Sequence, residues 1–154
     1  MNKIEYGMKL DFSNVLIRPK RSTINSRSEV SLERQFKFRY STLQWEGVPI
    51  ISANMDTTGT FEVYWCLSQH KIVTAMHKFY TVKDYIFFNA HFHPDPDYFM
   101  VSTGIGEGSI EHLAQVFNVI ECNWICIDIA NGYISKLVEF CKKVRKAFPE
   151  KRIV

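Results

Sequence analysis

The sequence predicts an α/β fold built on a parallel sheet, with its working groups along one edge of that sheet. Three observations carry this reading. Apolar runs too short for helices alternate with helical patterns. Each run breaks off into polar residues or glycine. The same order then recurs until four strand–helix units fill most of the 154 residues. Such units imply right-handed crossovers, and in open sheets and barrels alike the chemistry sits at the strand C-termini.

Residues 1–29 read as an arm without a regular element. Residues 9–17 supply apolar anchors without a period, and Arg18-Pro19-Lys20-Arg21-Ser22-Thr23 and Ser26-Arg27-Ser28 follow as a basic, hydroxyl-rich stretch. Guanidinium, ammonium and hydroxyl groups together suit phosphate oxygens; a solvated loop is the other reading. No aromatic platform is interleaved, which argues against RNA. From Val30 the chain alternates, with Val30, Leu32, Phe36 and Phe38 on one side, and Trp45 begins a partner strand across a turn. The expectation is an antiparallel hairpin ahead of the main sheet.

The first unit opens with Gly47-Val48-Pro49-Ile50-Ile51, an apolar run that reads as a strand buried on both faces. It breaks into Asn54-Met55-Asp56-Thr57, Gly59 permits the turn, and a helix to His70 follows with Phe61, Tyr64, Trp65 and Ser68 on one face. In the second unit the strand is 72–76, His77-Lys78 is its polar mouth, and Thr81 caps a helix whose spaced face is Val82, Tyr85, Ile86 and Asn89. The connection from His91 to Asp97 reads as a surface loop; its His91 and His93 have a metal-like spacing, but the prolines make a turn the better reading.

The third unit has a strand at 98–102, the mouth Thr103-Gly104-Ile105-Gly106-Glu107-Gly108, and a helix capped by Ser109 with Ile110, Leu113, Ala114 and Phe117 as its stripe. The fourth has Trp124-Ile125-Cys126-Ile127, the mouth Asp128-Ile129-Ala130-Asn131-Gly132, and a helix with Leu137, Val138, Cys141, Val144 and Phe148 on one face. Lys142, Lys143, Arg145 and Lys146 favour the C-terminal end of its dipole, and Arg152-Ile153-Val154 begins a fifth strand.

The chain is 46% hydrophobic with a net charge of +3, a bias too mild to imply nucleic acid. No apolar run approaches the ~20 residues of a membrane span. Met1-Asn2-Lys3-Ile4-Glu5-Tyr6 has no apolar leader core. A soluble cytoplasmic protein is expected. Cys66, Cys122, Cys126 and Cys141 form no Cys-x-x-Cys pair and read as free structural thiols; no metal site is expected.

A closed eight-stranded barrel takes at least ~200 residues, so these units make half of one, and an isolated half would leave edges on its first and fourth strands. The rival architecture is a doubly wound dinucleotide fold. Gly104-Ile105-Gly106-Glu107-Gly108-Ser109 lies between strand and helix, with Asp128 about 20 residues on. Ser109 in place of a third glycine, and the negative Glu107 at a helix N-terminus, fit a barrel-mouth loop better.

The blocks Asp11-Phe12-Ser13-Asn14-Val15-Leu16-Ile17-Arg18-Pro19-Lys20-Arg21-Ser22-Thr23, Ser26-Arg27-Ser28-Glu29-Val30, Asn54-Met55-Asp56-Thr57, Gly59-Thr60-Phe61, His77-Lys78 and Asp128-Ile129-Ala130-Asn131-Gly132-Tyr133 resemble the GMP reductase branch of the IMP dehydrogenase/GMP reductase superfamily. The short connection from His91 to Asp97, where IMP dehydrogenases usually carry an inserted domain, resembles the reductase side. The resemblance implies the first four units of a TIM (β/α)8 barrel, with an arm and hairpin over 1–46 and the half-barrel over 47–154.

The activity implied is NADPH-dependent reductive deamination of GMP to IMP and ammonia, in a homotetramer. A cysteine thiolate attacks the purine, ammonia leaves, and hydride resolves the adduct. On this resemblance Asn54 and Met55 meet the nucleotide, with Met55 lining the base. Lys78, Gly108, Asp128, Ile129 and Ala130 face NADPH, and Ser26 and Arg27 reach the cofactor of a neighbouring subunit. The family's nucleophile, its K+ site and its phosphate loops match nothing here, so the 154 residues alone are expected to be inactive. Phe79 stands where a second histidine is frequent, and Thr58 where valine is usual. Two other readings remain: a non-catalytic homologue that binds nucleotide or assembles with a full-length partner, and a Rossmann-like binding module.

Overall fold

The computed structural model describes residues 6–154; the leader reading of residues 1–5 lies outside them. The chain forms two compact units, the first ending at Ser31 and the second covering Leu32–Val154. Within the first, the short 3-10 turns Phe12–Asn14 and Arg27–Glu29 are each closed by a capping box, from Asp11 with Asn14 and from Ser26 with Glu29.

The second unit opens with a hairpin of β1 (Arg34–Lys37) and β2 (Gln44–Gly47), paired antiparallel with Phe36 opposite Trp45. Strand β1 is shorter than the alternation from Val30 suggests. A five-stranded parallel sheet follows: β3 (Ile51–Ser52), β4 (Val73–Ala75), β5 (Phe99–Thr103), β6 (Trp124–Ile127) and β7 (Arg152–Ile153), hydrogen-bonded in chain order. Helices α1 (Phe61–Ser68), α2 (Val82–Phe92), α3 (Ser109–Phe117) and α4 (Ser135–Ala147) join successive strands. Sequential order leaves no reversal point of the kind at which a doubly wound sheet binds a dinucleotide.

The core is aromatic and lies between sheet and helices. Strand β5 is buried at all five positions, as a central strand must be. Rings of Phe61, Tyr64, Phe88 and Phe99 pack at 4.1–5.8 Å.

Several expectations need correction. β3 is not buried on both faces: Ile50 and Ile51 are half exposed, because an edge strand has one neighbour. The first strand, β3, is a sheet edge as expected, but β7 pairs with β6, so the other edge is β7 rather than the fourth strand. Helix α2 runs to Phe92, which puts His91 inside it with Nδ1 against the Phe87 carbonyl at 2.9 Å. Its buried face is Tyr85 and Phe88, whereas Ile86 is half exposed. Gly108, not Ser109, caps α3, at φ 78°. Val116 and Phe140 are buried helix positions that spacing alone missed, and Trp65 and Val138 are half exposed.

Candidate functional site

Four consecutive strand ends present the predicted groups along the C-terminal edge of the sheet. After β3 the chain folds into a tight turn whose tip is Met55, 58% exposed. The Met55 carbonyl accepts from the Thr58 and Gly59 N–H groups at 3.2 and 2.7 Å. Thr58 Oγ1 donates to the Ala53 carbonyl at 2.9 Å, and Ser52 Oγ donates to the Thr58 carbonyl at 3.0 Å. The hydroxyl of Thr58 thus ties the turn that holds Asn54 and Met55. Gly59 is required by close approach: a Cβ there would lie 2.4 Å from the Ala75 carbonyl oxygen and 2.8 Å from the His77 nitrogen.

The His77 N–H donates to the Gly59 carbonyl at 2.9 Å, joining the mouth of β4 to the turn after β3. The His77 ring stacks on Tyr80 at 3.8 Å, and its Nδ1 accepts the Phe79 N–H at 3.3 Å. Lys78 and Phe79 are exposed, with the Lys78 ammonium 6.0 Å from the Phe79 ring. Thr81 caps α2: its hydroxyl and N–H both donate to the Asp84 carboxylate at 2.7 Å, which holds that carboxyl below its ordinary range.

After β5 the glycine loop leads to Gly108, whose backbone turns into α3 without a side-chain cap; the Ser109 N–H donates back to the Gly106 carbonyl at 3.4 Å. After β6 the Asp128 N–H donates to the Thr103 carbonyl at 2.9 Å, so the fourth mouth is tied to the third. Asp128 and Ile129 are half-buried and Ala130 is exposed. Asn54, Met55, Lys78, Gly108, Asp128, Ile129 and Ala130 therefore share one edge. Ser26 and Arg27 lie in the first unit, as the cap and first residue of its second 3-10 turn.

A cleft of about 240 Å³ between α3 and α4, lined by Glu107, Glu111, Lys136 and Lys143 among others, holds none of the predicted site residues. The sequence marks His77 as part of a polar mouth and of a family-like block without giving it a role, and gives none to Tyr80, although an aromatic run directly after a buried strand marks the place.

None of the four thiols is disposed as a nucleophile at this edge. Burial pushes the Cys122 thiol up to about 12 and also raises Cys126, while Cys66 and Cys141 sit on α1 and α4. Among the described residues no group of three or more His, Cys, Asp or Glu could hold a metal, and no helix is long and apolar enough to cross a membrane.

The residue types at this edge suit a dinucleotide cofactor. Lys78 has no ion-pair partner among the described residues. Asp128 can accept from hydroxyl or amide donors.

A family model described as the IMP dehydrogenase / GMP reductase domain matches residues 9–154. GMP reductase 1 of Mus musculus is 47% identical over 156 residues, covering 100% of this chain and 45% of that protein. The GMP reductase of Vibrio vulnificus (strain YJ016) is 49% identical over 157 residues, 98% of this chain and 44% of its own length. The chain thus spans less than half the length of the curated relatives it matches. Inosine 5' monophosphate dehydrogenase from Legionella pneumophila shares the fold at a TM-score of 0.65 and 22% identity, over 86% of this chain and 39% of that one.

Proposed function

The chain belongs to the IMP dehydrogenase / GMP reductase family, and from that premise we propose that it supplies the cofactor-facing and base-facing half of a GMP reductase. The reaction is the NADPH-dependent conversion of GMP to IMP with loss of ammonia. The observation that carries this is the gathering of Asn54, Met55, Lys78 and Asp128 at the ends of β3, β4 and β6 in one sequentially ordered sheet, in a chain 47–49% identical to GMP reductases.

In this reading the sheet is one wall of a (β/α)8 barrel. The apolar hollow of about 190 Å³ between the hairpin and strands, lined by Phe36, Phe38, Trp45, Ile50, Trp124 and Val154, supports a wall that packs against further strands. Met55 meets the purine and Asn54 hydrogen-bonds to the nucleotide. NADPH supplies hydride when bound. Lys78 orients it through its charge, Asp128 accepts from its donors, and Ile129, Ala130 and the Gly108 backbone line its path. Ser26 and Arg27 meet the cofactor of a neighbouring subunit in a tetramer. The nucleophilic thiolate comes from outside these 154 residues.

Affinity measurements with NADPH and GMP as separate probes test this. Lys78→Ala and Asp128→Ala should each weaken NADPH by roughly tenfold, the scale of one charge-assisted contact, and leave GMP unchanged. Met55→Ala should weaken GMP. Failure of the unaltered chain to bind either probe overturns the proposal. A second reading, nucleotide binding without turnover, is favoured by the raised thiols of Cys122 and Cys126. The intact mass of the native protein separates the two: about twice 18.0 kDa favours the reductase, and 18.0 kDa the binding role.

A further inference from the structure

His77 is held more tightly than its place in a polar mouth requires. Its backbone N–H is fixed on the Gly59 carbonyl at 2.9 Å. Its ring lies flat on Tyr80, at 3.8 Å and 23° between planes. Tyr80 in turn stacks on Phe61 at 3.9 Å and Phe61 on Phe88 at 4.1 Å, both at 8°. The Tyr80 hydroxyl accepts the Phe61 N–H at 3.3 Å, so the second ring of this column is itself anchored. A single row of four rings runs from the buried Phe88 to the half-buried imidazole.

The remaining freedom of an imidazole is the position of its proton, and that is also settled. A backbone N–H can only donate, so the contact from Phe79 N–H to Nδ1 at 3.3 Å makes Nδ1 the acceptor. The neutral ring then carries its proton on Nε2. Among the described residues Nε2 has no hydrogen-bond partner and is not one of the buried polar atoms left unsatisfied, which leaves its N–H free to donate; the Asp84 carboxylate interacts with the ring through its charge alone. A ring fixed by a stack, a backbone bond and a set tautomer presents one preset donor, on a residue bonded through its backbone to the turn after β3 and followed in the chain by the exposed Lys78.

We infer that His77 contacts the ligand, donating its Nε2 proton to an oxygen acceptor of the nucleotide or of the cofactor bound at this edge. The inference rests on the function proposed above and adds a residue to it. A purine or ribose oxygen and a carboxamide or phosphate oxygen are alike as acceptors, and the choice of probe distinguishes them. A purely structural role would need only Nδ1 and the ring face.

Long-range 15N NMR of the 154-residue chain reads the tautomer, and GMP and NADPH are then added separately. The expected result is an Nε2–H tautomer without ligand and a shift of the Nε2 resonance with one of the two probes. An Nδ1–H tautomer overturns the inference. So does a silent Nε2 while the Met55 methyl or other mouth resonances respond, in which case the functional proposal survives alone. If no resonance responds to either probe, the functional proposal fails and this inference fails with it. His77→Gln keeps an amide donor near the Nε2 position, and His77→Asn keeps a polar group near Nδ1 only; both lose the stack. Affinity for the responding probe should fall roughly three- to tenfold in His77→Asn and be largely rescued in His77→Gln. Equal losses in the two variants would assign His77 a structural role and overturn the inference.

Discussion

Arg152 on β7 reaches Asp97, in the loop before β5, with Nη1 2.6 Å from the carboxylate. The guanidinium is 2% exposed and lies 4.8 Å from the Trp124 ring, and its Nη2 donates to the Gln44 carbonyl. The Asp97 carbonyl accepts from both Trp45 and Trp124 indole N–H groups, at 3.0 and 2.9 Å. One residue thus ties hairpin, sheet and last strand together at the end opposite the site.

This pair predicts an asymmetry. Asp97→Ala strands a buried guanidinium and should cost roughly 2–4 kcal/mol, somewhat under a fully buried pair because Asp97 is partly exposed. Arg152→Met replaces the cation with apolar volume and leaves Asp97 with water and Asn123; it should cost about 1 kcal/mol or less. Urea unfolding of both variants checks the order.

Gly59→Ala should lower stability by about 1–3 kcal/mol, since the added methyl meets the backbone of Ala75 and His77 and not a flexible side chain. Relief of that clash moves the His77 backbone, so the imidazole resonances should shift in the same variant. Intact imidazole shifts alongside lost stability would uncouple the two mouths.

Alkali should unfold the protein through its buried acids. Folded Cys122 keeps its proton up to about 12, whereas an ordinary thiol gives it up near 9.0, because burial disfavours the thiolate. Between those values the unfolded state alone ionises. Stability contributed by Cys122 is complete below 9.0 and is lost as pH rises toward 12, by at most ~1.4 kcal/mol per pH unit. Burial raises Tyr85 well above 10.0 and acts in the same direction. Cys122→Ala and Tyr85→Phe should each flatten the fall in denaturation midpoint with pH.

Thiol labelling of the native protein at pH 8 should modify the exposed Cys66 first and leave Cys122 unmodified until denaturant is added. Early labelling of Cys122 would contradict its burial.

The repeated units were legible because buried strands and glycine-marked mouths are local patterns. Trp124–Ile127 and the Thr81 cap stand where the pattern put them. Helix faces were less legible: spacing could not choose Phe88 over Ile86, since both are apolar and only the opposing sheet decides which is covered. The exposure of Ile50 and Ile51 follows from edge position, a property of the whole sheet and not of the run itself. Of the site, the residue types along the edge could be read. The Gly59–His77 and Thr103–Asp128 bonds could not, because they link residues 18 and 25 positions apart by register alone.

The row of rings from Phe88 to His77 makes part of the core answerable to the site. An interior position ordinarily tolerates any residue of suitable bulk, and drift there is screened only by folding. Phe88 is different, because its neighbour Phe61 transmits ring orientation through Tyr80 to an imidazole at the surface. Leucine at 88 would satisfy volume and still remove the flat surface on which that orientation depends. Natural variation at this position should therefore be narrower than its burial alone would allow.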